Sequence, residues 1–258
     1  MADSFYWYDL ETTGTNPKWE RIVQLAGIRT DLHLNPIGEE LCFFVRLSDD
    51  VLPNPGASLV TGITPSKLAA DGISEFDALQ NILQEFNVPG NCALGYNSLR
   101  FDDEFMRYAL YRHLQDPYAR EYRNGNTRWD LVDLVRAAGA LRPEGIHWPT
   151  DENGQTVYRL EELTKANGID HGQAHDAMSD VPATLGLARL LKARQPQLFE
   201  YYYGMRPKPH VTPPLLPLAS RLVAAVPPTH GTDALHVAPV VSLPPHPTHS
   251  HAPLPARC

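Results

Sequence analysis

Only three cysteines, Cys42, Cys92 and Cys258, occur in the 258 residues, far apart and without a C-x-x-C pair. Their scarcity argues against a disulfide framework and a thiolate zinc site, and predicts a reducing, cytoplasmic setting. No apolar run approaches the ~18 residues that a membrane-spanning helix needs, so no membrane span is expected. The first residues, Met1-Ala2-Asp3-Ser4, carry neither a basic stretch nor an apolar one, which predicts no secretory leader. Acids are missing from one region only. From Pro207 to Cys258 the single carboxylate is Asp233, against Lys208, Arg221 and Arg257.

What is present is enough for a real core: 43% of the residues are hydrophobic, 20% are charged, and the formal net charge is −8. That length suits one large domain, or one domain with an appendage. The prolines favour the second. Of 24 in the chain, 13 lie at or after Pro207, together with 6 of the 11 histidines. Subtracting the tail leaves residues 1–206 with 29 acids against 19 bases, a net of −10. We therefore expect a folded domain over 1–206 and a disordered or loosely packed tail over 207–258. The Pro-Pro pairs at 213–214, 227–228 and 244–245 oppose long helices and central strands there. A natural tail, a truncated gene and out-of-frame translation after about Lys208 would each give such a segment. The one-sided Pro/His/Ala composition points to the last. Irregular spacing argues against metal binding by the tail histidines.

Within 1–206, strand and helix signals alternate. Phe5–Glu11 is rich in β-formers and closes on Thr12-Thr13-Gly14. Ile22–Arg29 and Leu41–Leu47 read as two further strands, joined through the turn residues Asn35-Pro36-Ile37-Gly38, so an antiparallel meander is expected. Helical periodicity covers 64–71 and 74–85. A short buried strand follows at Asn91–Asn97, then helices near 101–114, 129–140, 159–167 and 176–195. This order predicts an α/β fold, a mixed sheet with three antiparallel strands first and helices on its faces.

Three clusters carry candidate chemistry. Asp9 and Glu11, two apart on a strand, share one face. Like charges that close are costly without a cation between them, and oxygen-only ligands suit Mg²⁺ or Mn²⁺; a bare D-x-E is otherwise an ordinary solvated strand end. Asp102-Asp103-Glu104 follows the fourth strand, where acids also stabilise the positive end of a helix. The third cluster is His175-Asp-Ala-Met-Ser-Asp180. On one continuous helix a spacing of five sets the ends roughly 140° apart, so His175 and Asp180 converge only if His175 lies on the loop or first turn leading into the helix. Pro182 predicts that the regular helix begins near Asp180 or kinks there. Together the clusters offer four carboxylates and one histidine, an inventory that suits a two-metal phosphoryl-transfer site with ions about 4 Å apart and a proton-accepting histidine.

Asp9-Leu-Glu11-Thr-Thr-Gly14, Asn97-Ser-Leu-Arg-Phe-Asp102 and His175-Asp-Ala-Met-Ser-Asp180 resemble the three motifs of the DEDD exonuclease superfamily, histidine subtype. Leu59-Val-Thr-Gly-Ile-Thr64 is similar to its usual loop over the active site. Within the superfamily the chain most resembles the bacterial exonuclease I family, through Gly95–Glu104, Asp116-Pro-Tyr118, Arg128-Trp-Asp-Leu131, Ala140–Pro149 and Leu163–Asp170. The likeness runs over roughly residues 5–208. It implies an RNase H-like fold and a 3′→5′ exonuclease that releases nucleoside 5′-monophosphates from single-stranded DNA in repair and recombination. It implies Asp9, Glu11, Asp102 and Asp180 as ligands of two Mg²⁺ ions (or Mn²⁺) and His175 as general base. Asp102 rather than Asp103 occupies the motif position. The family continues into an SH3-like domain and a helical domain that this chain does not show in sequence.

A trace of nucleic-acid binding stands in the sequence itself. Between 105 and 129 lie Arg107, Arg112, Arg120, Arg123 and Arg128, against Asp116 and Glu121, a local +3 interleaved with Tyr108, Tyr111, Tyr118, Tyr122 and Trp129. Phosphate-pairing arginines with aromatic platforms suit sequence-tolerant single-strand binding; an amphipathic helix with core aromatics is the plainer alternative. By resemblance the substrate contacts are Glu11, Arg107, Tyr118, Tyr122, Arg136 and Arg159, with single-stranded DNA as partner, single-strand-binding protein as a second partner, and a monomeric enzyme. The rivals are a 3′ exoribonuclease, a polymerase proofreading subunit, or a weakly active DNA-binding fragment.

Overall fold

The computed structural model describes residues 3–172, 176–207, 222–225, 238–246 and 249–257. The chain divides into two compact units, Met1–Leu131 with Arg159–Arg189, and Val132–Tyr158 with Leu190–Cys258.

The first unit is built on a five-stranded sheet. Strands β1 (Ser4–Thr12), β2 (Ile22–Thr30), β3 (Leu41–Phe44), β4 (Asn91–Gly95) and β5 (Thr127–Asp130) lie in the order β3-β2-β1-β4-β5. β1–β2 and β2–β3 pair antiparallel, whereas β4 runs parallel to β1 and β5 parallel to β4. The expected meander of three antiparallel strands is therefore present. Alternation along β1 divides its side chains. Tyr6, Tyr8 and Leu10 enter a core with Leu79, Ile82 and Phe86 of α3 (Glu75–Phe86) and Phe105, Met106 and Leu110 of α4 (Asp102–Arg112). Phe86 sits edge-on to both Tyr6 and Tyr8, with ring centroids 5.6 and 5.0 Å away, the geometry aromatic quadrupoles prefer. Phe5 and Trp7 occupy the opposite face, where the Trp7 indole N–H donates to Thr30 Oγ1 at 3.0 Å. Asp9 and Glu11 continue that second row toward the strand's carboxyl end.

Two short helices, α1 (Pro55–Thr61) and α2 (Pro65–Asp71), join β3 to α3. Both start on proline, with Asn54 and Thr64 as N-caps accepting from Gly56 N–H and Lys67 N–H, as the helix-start rules require. The Leu59–Thr64 motif runs from the end of α1, through its cap Gly62, to the cap of α2, Thr64, and α1 was not legible as a helix in the sequence. Also in the first unit are α6 (Leu160–Ala166) and most of α7 (Ala177–Arg194). α7 keeps Pro182 inside it, starting five residues before the proline rather than near Asp180. Proline at that depth costs one hydrogen bond, to the Met178 carbonyl, and the buried Val181, Ala183 and Leu185 offset it.

The second unit contains most of α5 (Leu131–Leu141), the end of α7, and α8 (Pro196–Gly204). Three described stretches of the tail, β6 (Leu222–Ala225), β7 (Ala238–His246) and β8 (His249–Arg257), form an antiparallel sheet in the order β6-β7-β8. The proline-rich sequence predicts no such strands, least of all a central one through Pro244-Pro245. The register shows how they are accommodated: it slips on both sides of Pro245, which faces Pro253. Residues without an N–H are concentrated where the ladder is irregular. No helix among the described residues is long and apolar enough to cross a membrane.

Candidate active site

The site forms at the carboxyl end of β1, the middle strand, beside the equivalent end of β4. Gly95 closes β4, and a Cβ there would stand 2.5 Å from the Tyr8 carbonyl, so glycine permits the two strands to approach at this point. The chain then turns through Asn97, whose φ is +63°. Asp130, fully buried at the end of β5, accepts from Asn97 N–H at 2.8 Å and Leu99 N–H at 3.1 Å. This clamp delivers Asp102 as the first residue of α4. Asp102 Oδ1 accepts from Leu10 N–H at 3.0 Å, which ties the start of α4 to the strand between Asp9 and Glu11.

Asp9, Glu11 and Asp180 each offer a carboxylate oxygen within 4.8 Å of the others. They line a cleft of about 580 Å³ together with Asp102, Tyr96, Asn97, Thr15, and Asn54, Ala57 and Val60 of the α1 region. Its acids are held in an unfavourable state. Burial, followed by the charges of Asp102, Asp180, Glu11 and Asp176, pushes the Asp9 carboxyl well above the usual range. Burial and the charges of Asp180 and Asp176 push Glu11 up to about 8. Asp102 is raised as well, by burial foremost. A divalent cation is the partner such a set lacks. The ligands are oxygen-only, close and mutually repelling, so they fit a hard ion.

Sequence reasoning missed the residues that hold this set in place. Gln24 faces Glu11 across the β1–β2 ladder. Its Nε2 donates to Asp176 Oδ1 at 2.7 Å, and its Oε1 accepts from Ala177 N–H at 3.3 Å, pinning the start of α7. Asp176 thereby joins the acidic field around Asp9 and Glu11. His171 Nε2 lies 2.5 Å from Asp180 Oδ1. Nothing in the sequence singled out Gln24; its place opposite Glu11 comes from the strand register. His175, the expected base, lies outside the described residues; α7 begins at Ala177.

Beneath the cleft, Asp103 has the opposite surroundings. Its carboxylate accepts from Tyr8 Oη at 2.6 Å, from Arg128 at 2.5 Å, and from the buried Arg120. Those arginines hold its carboxyl down at about 2 despite burial. Arg128 also pairs with Glu121 at 2.9 Å, and Glu121 with Arg107 at 2.8 Å.

Of the expected DNA contacts, Glu11 lines the acidic cleft itself, whereas Arg107 and Tyr118 line another. Arg107 lies over the Tyr118 ring, 5.1 Å from its centroid, and both line a separate cleft of about 350 Å³ with Glu104, Tyr108, Tyr111 and Pro117. Tyr118 and Tyr122 are exposed. Arg159 is exposed and faces Glu161 and Glu162 at 3.6 and 3.5 Å. Arg136, in the second unit, is 3.8 Å from Asp133.

A five-stranded mixed sheet with flanking helices, carrying a cluster of acids at the end of its middle strand, defines an RNase H-like nuclease fold. The chain belongs to the exonuclease family, whose model matches residues 6–188. It is 51% identical to exodeoxyribonuclease I of Haemophilus influenzae over 208 residues, which are 81% of this chain and 44% of that protein. A crystal structure of Escherichia coli exonuclease I in complex with a dA16 oligonucleotide matches with a TM-score of 0.95 at 45% identity, over 99% of this chain and 55% of that one. A structure of SSB/exonuclease I in complex with an inhibitor matches with a TM-score of 0.95 at 42% identity, over 100% of this chain and 56% of that one. The chain thus spans about half the length of the relatives it matches.

Proposed function

We propose that this chain is a 3′→5′ exodeoxyribonuclease that shortens single-stranded DNA to nucleoside 5′-monophosphates, using two Mg²⁺ ions (or Mn²⁺), in DNA repair and recombination. The observation that carries the reading is the convergence of Asp9, Glu11 and Asp180 oxygens within 4.8 Å, in a chain of the exonuclease family. When bound, the ions supply Lewis-acid stabilisation of the charge that develops on the phosphate and the leaving oxygen.

The chain's own residues do the rest. Asp9, Glu11 and Asp180 would hold the ions, with Asp102, which lines the same cleft, as a fourth ligand. His175 accepts the proton of the attacking water, a role assigned by resemblance. The exposed apolar side chain of Val60 lines the cleft and excludes water from the terminal nucleotide. Tyr118 stacks on an unpaired base while Arg107, Arg136 and Arg159 meet phosphates. The likeness to the SSB/exonuclease I structure supports a single-strand-binding protein as a partner. The enzyme acts as a monomer in the cytoplasm.

An assay with end-labelled single-stranded DNA, duplex DNA and RNA tests this, each with Mg²⁺ or EDTA. Single-stranded DNA is expected to be shortened from its 3′ end only with the metal. A preference for RNA would overturn the substrate, and activity persisting in EDTA would overturn the metal.

A further inference from the structure

We propose that His171 is a positioning residue for the cation site: a relay from Thr164 through His171 holds the Asp180 carboxylate within reach of Asp9 and Glu11. The proposal rests on the divalent-cation reading above. His171 Nε2 is 2.5 Å from Asp180 Oδ1, and Nδ1 is 3.0 Å from Thr164 Oγ1. Thr164 Oγ1 also lies 2.8 Å from the Leu160 carbonyl and 3.1 Å from that of Glu161, within α6. The Asp180 carboxylate only accepts, so His171 Nε2–H donates to it, and Nδ1 of that tautomer accepts from the Thr164 hydroxyl. The imidazole is almost enclosed, with 8% of its side chain exposed. An enclosed ring with both nitrogens bonded has one orientation rather than several.

The segment that carries His171 is itself fixed. Ile169 N–H donates to Thr164 O at 2.9 Å. Ile169 Cγ2 packs on Gly186 of α7, where an added Cβ would stand 2.7 Å from it. The glycine thus permits the chain before His171 to lie directly on the helix that bears Asp180. Two clamps then act on the first turns of α7: Gln24 on Asp176 and Ala177 N–H, and His171 on Asp180. Ligating carboxylates are commonly oriented by such outer partners, whose loss costs about 10- to 100-fold in metal affinity.

The test follows the rise in melting temperature of the metal-free protein as Mn²⁺ or Mg²⁺ is added. His171→Ala is expected to raise the half-saturating metal concentration about 10- to 100-fold. Thr164→Val, which keeps the imidazole but removes its anchor, is expected to give a smaller rise in the same direction. His171→Gln, which restores a donor, is expected to recover part of the loss. A His171→Ala protein with a lowered metal-free melting temperature but wild-type half-saturation would show a merely structural role and overturn the proposal. So would normal half-saturation with lost turnover at saturating metal, which would make His171 a catalytic group. Should His171→Ala fail to fold, Thr164→Val decides, and unchanged half-saturation there overturns the proposal. A wild-type protein that no divalent cation stabilises would overturn the cation reading instead.

Discussion

Asp102 and Asp103 are consecutive, both buried, and on the same first turn of α4, yet they belong to opposite electrostatic worlds. Asp102 faces a cleft of acids, and its carboxyl is raised. Asp103 faces Arg120, Arg128 and Tyr8, and its carboxyl is held down at about 2. Burial acts on both in the same direction, so the partners decide. Where the fold supplies two guanidinium groups, the charge is permanent and structural. Where it supplies only more carboxylates, the site is left short of positive charge, and a divalent cation would complete it. The same substitution, Asp→Asn, should therefore have opposite consequences in the two places.

The largest effect is expected at Asp103. Asp103→Asn leaves the buried Arg120 guanidinium without its counter-charge, and breaking a buried pair from one side costs about 3–5 kcal/mol. Urea unfolding should show the loss. A change below about 1 kcal/mol would mean that the Asp103 network is dispensable and would dissolve the comparison. Asp9→Asn should do the reverse to stability. It removes one member of a repelling set, so the metal-free melting temperature at neutral pH is expected to rise. Nuclease activity should meanwhile fall about 10²- to 10³-fold, the usual cost of one lost electrostatic stabiliser. An active Asp9→Asn enzyme would remove Asp9 from the cation site.

The Arg/Tyr cleft tests where the structural charges end. Arg107 is already engaged by Glu104 and Glu121, which places it at the outer end of the Asp103 network, whereas Tyr118 is exposed beside it. Tyr118→Ala should weaken oligonucleotide binding in fluorescence anisotropy by about 1–3 kcal/mol, the worth of one stacked base. Unchanged affinity would make Tyr118 an ordinary surface aromatic and leave the cleft without a base platform.

How much of this could be read beforehand followed the distance over which each feature is determined. Asp9 and Glu11 were legible because a strand's period of two is local, and the mixed sheet because its first three strands are consecutive. Strand β5 was read as the start of a helix, since the apolar pattern of Leu131–Leu141 runs straight up to it. Its four residues are a strand only because they pair with β4, 35 residues earlier in the chain at Cys92↔Thr127. Helices α1 and α8 are short, and α1 depends on its Asn54 cap and Pro55 more than on periodicity. Gln24 and Asp176 meet across 152 positions, and no spacing rule reaches so far. Asp180 entered the sequence reading as one of four carboxylates in separated clusters; the structure brings it to Asp9 and Glu11.

The gentlest test is pH, and its sign follows from the raised carboxyls. Glu11 rises from an ordinary 4.5 to about 8 in the folded protein. Between those values the unfolded chain has released its proton and the folded chain has not, so the folded state binds more protons. Stability must then fall as pH increases across that window and level off above it. In EDTA the melting temperature is expected to decline from about pH 5 to about pH 8. Glu11→Gln, which cannot ionise, should flatten part of that slope, leaving what Asp9 and Asp102 contribute. Saturating divalent cation should reverse it, because the ion favours the deprotonated ligands and its affinity grows as protons leave. The Asp103 network predicts no slope in this range, since its carboxylate stays ionised down to about 2. A metal-free protein whose stability is flat from pH 5 to 8 would mean that the cleft acids are compensated too, and that Asp102 and Asp103 differ less than their partners imply.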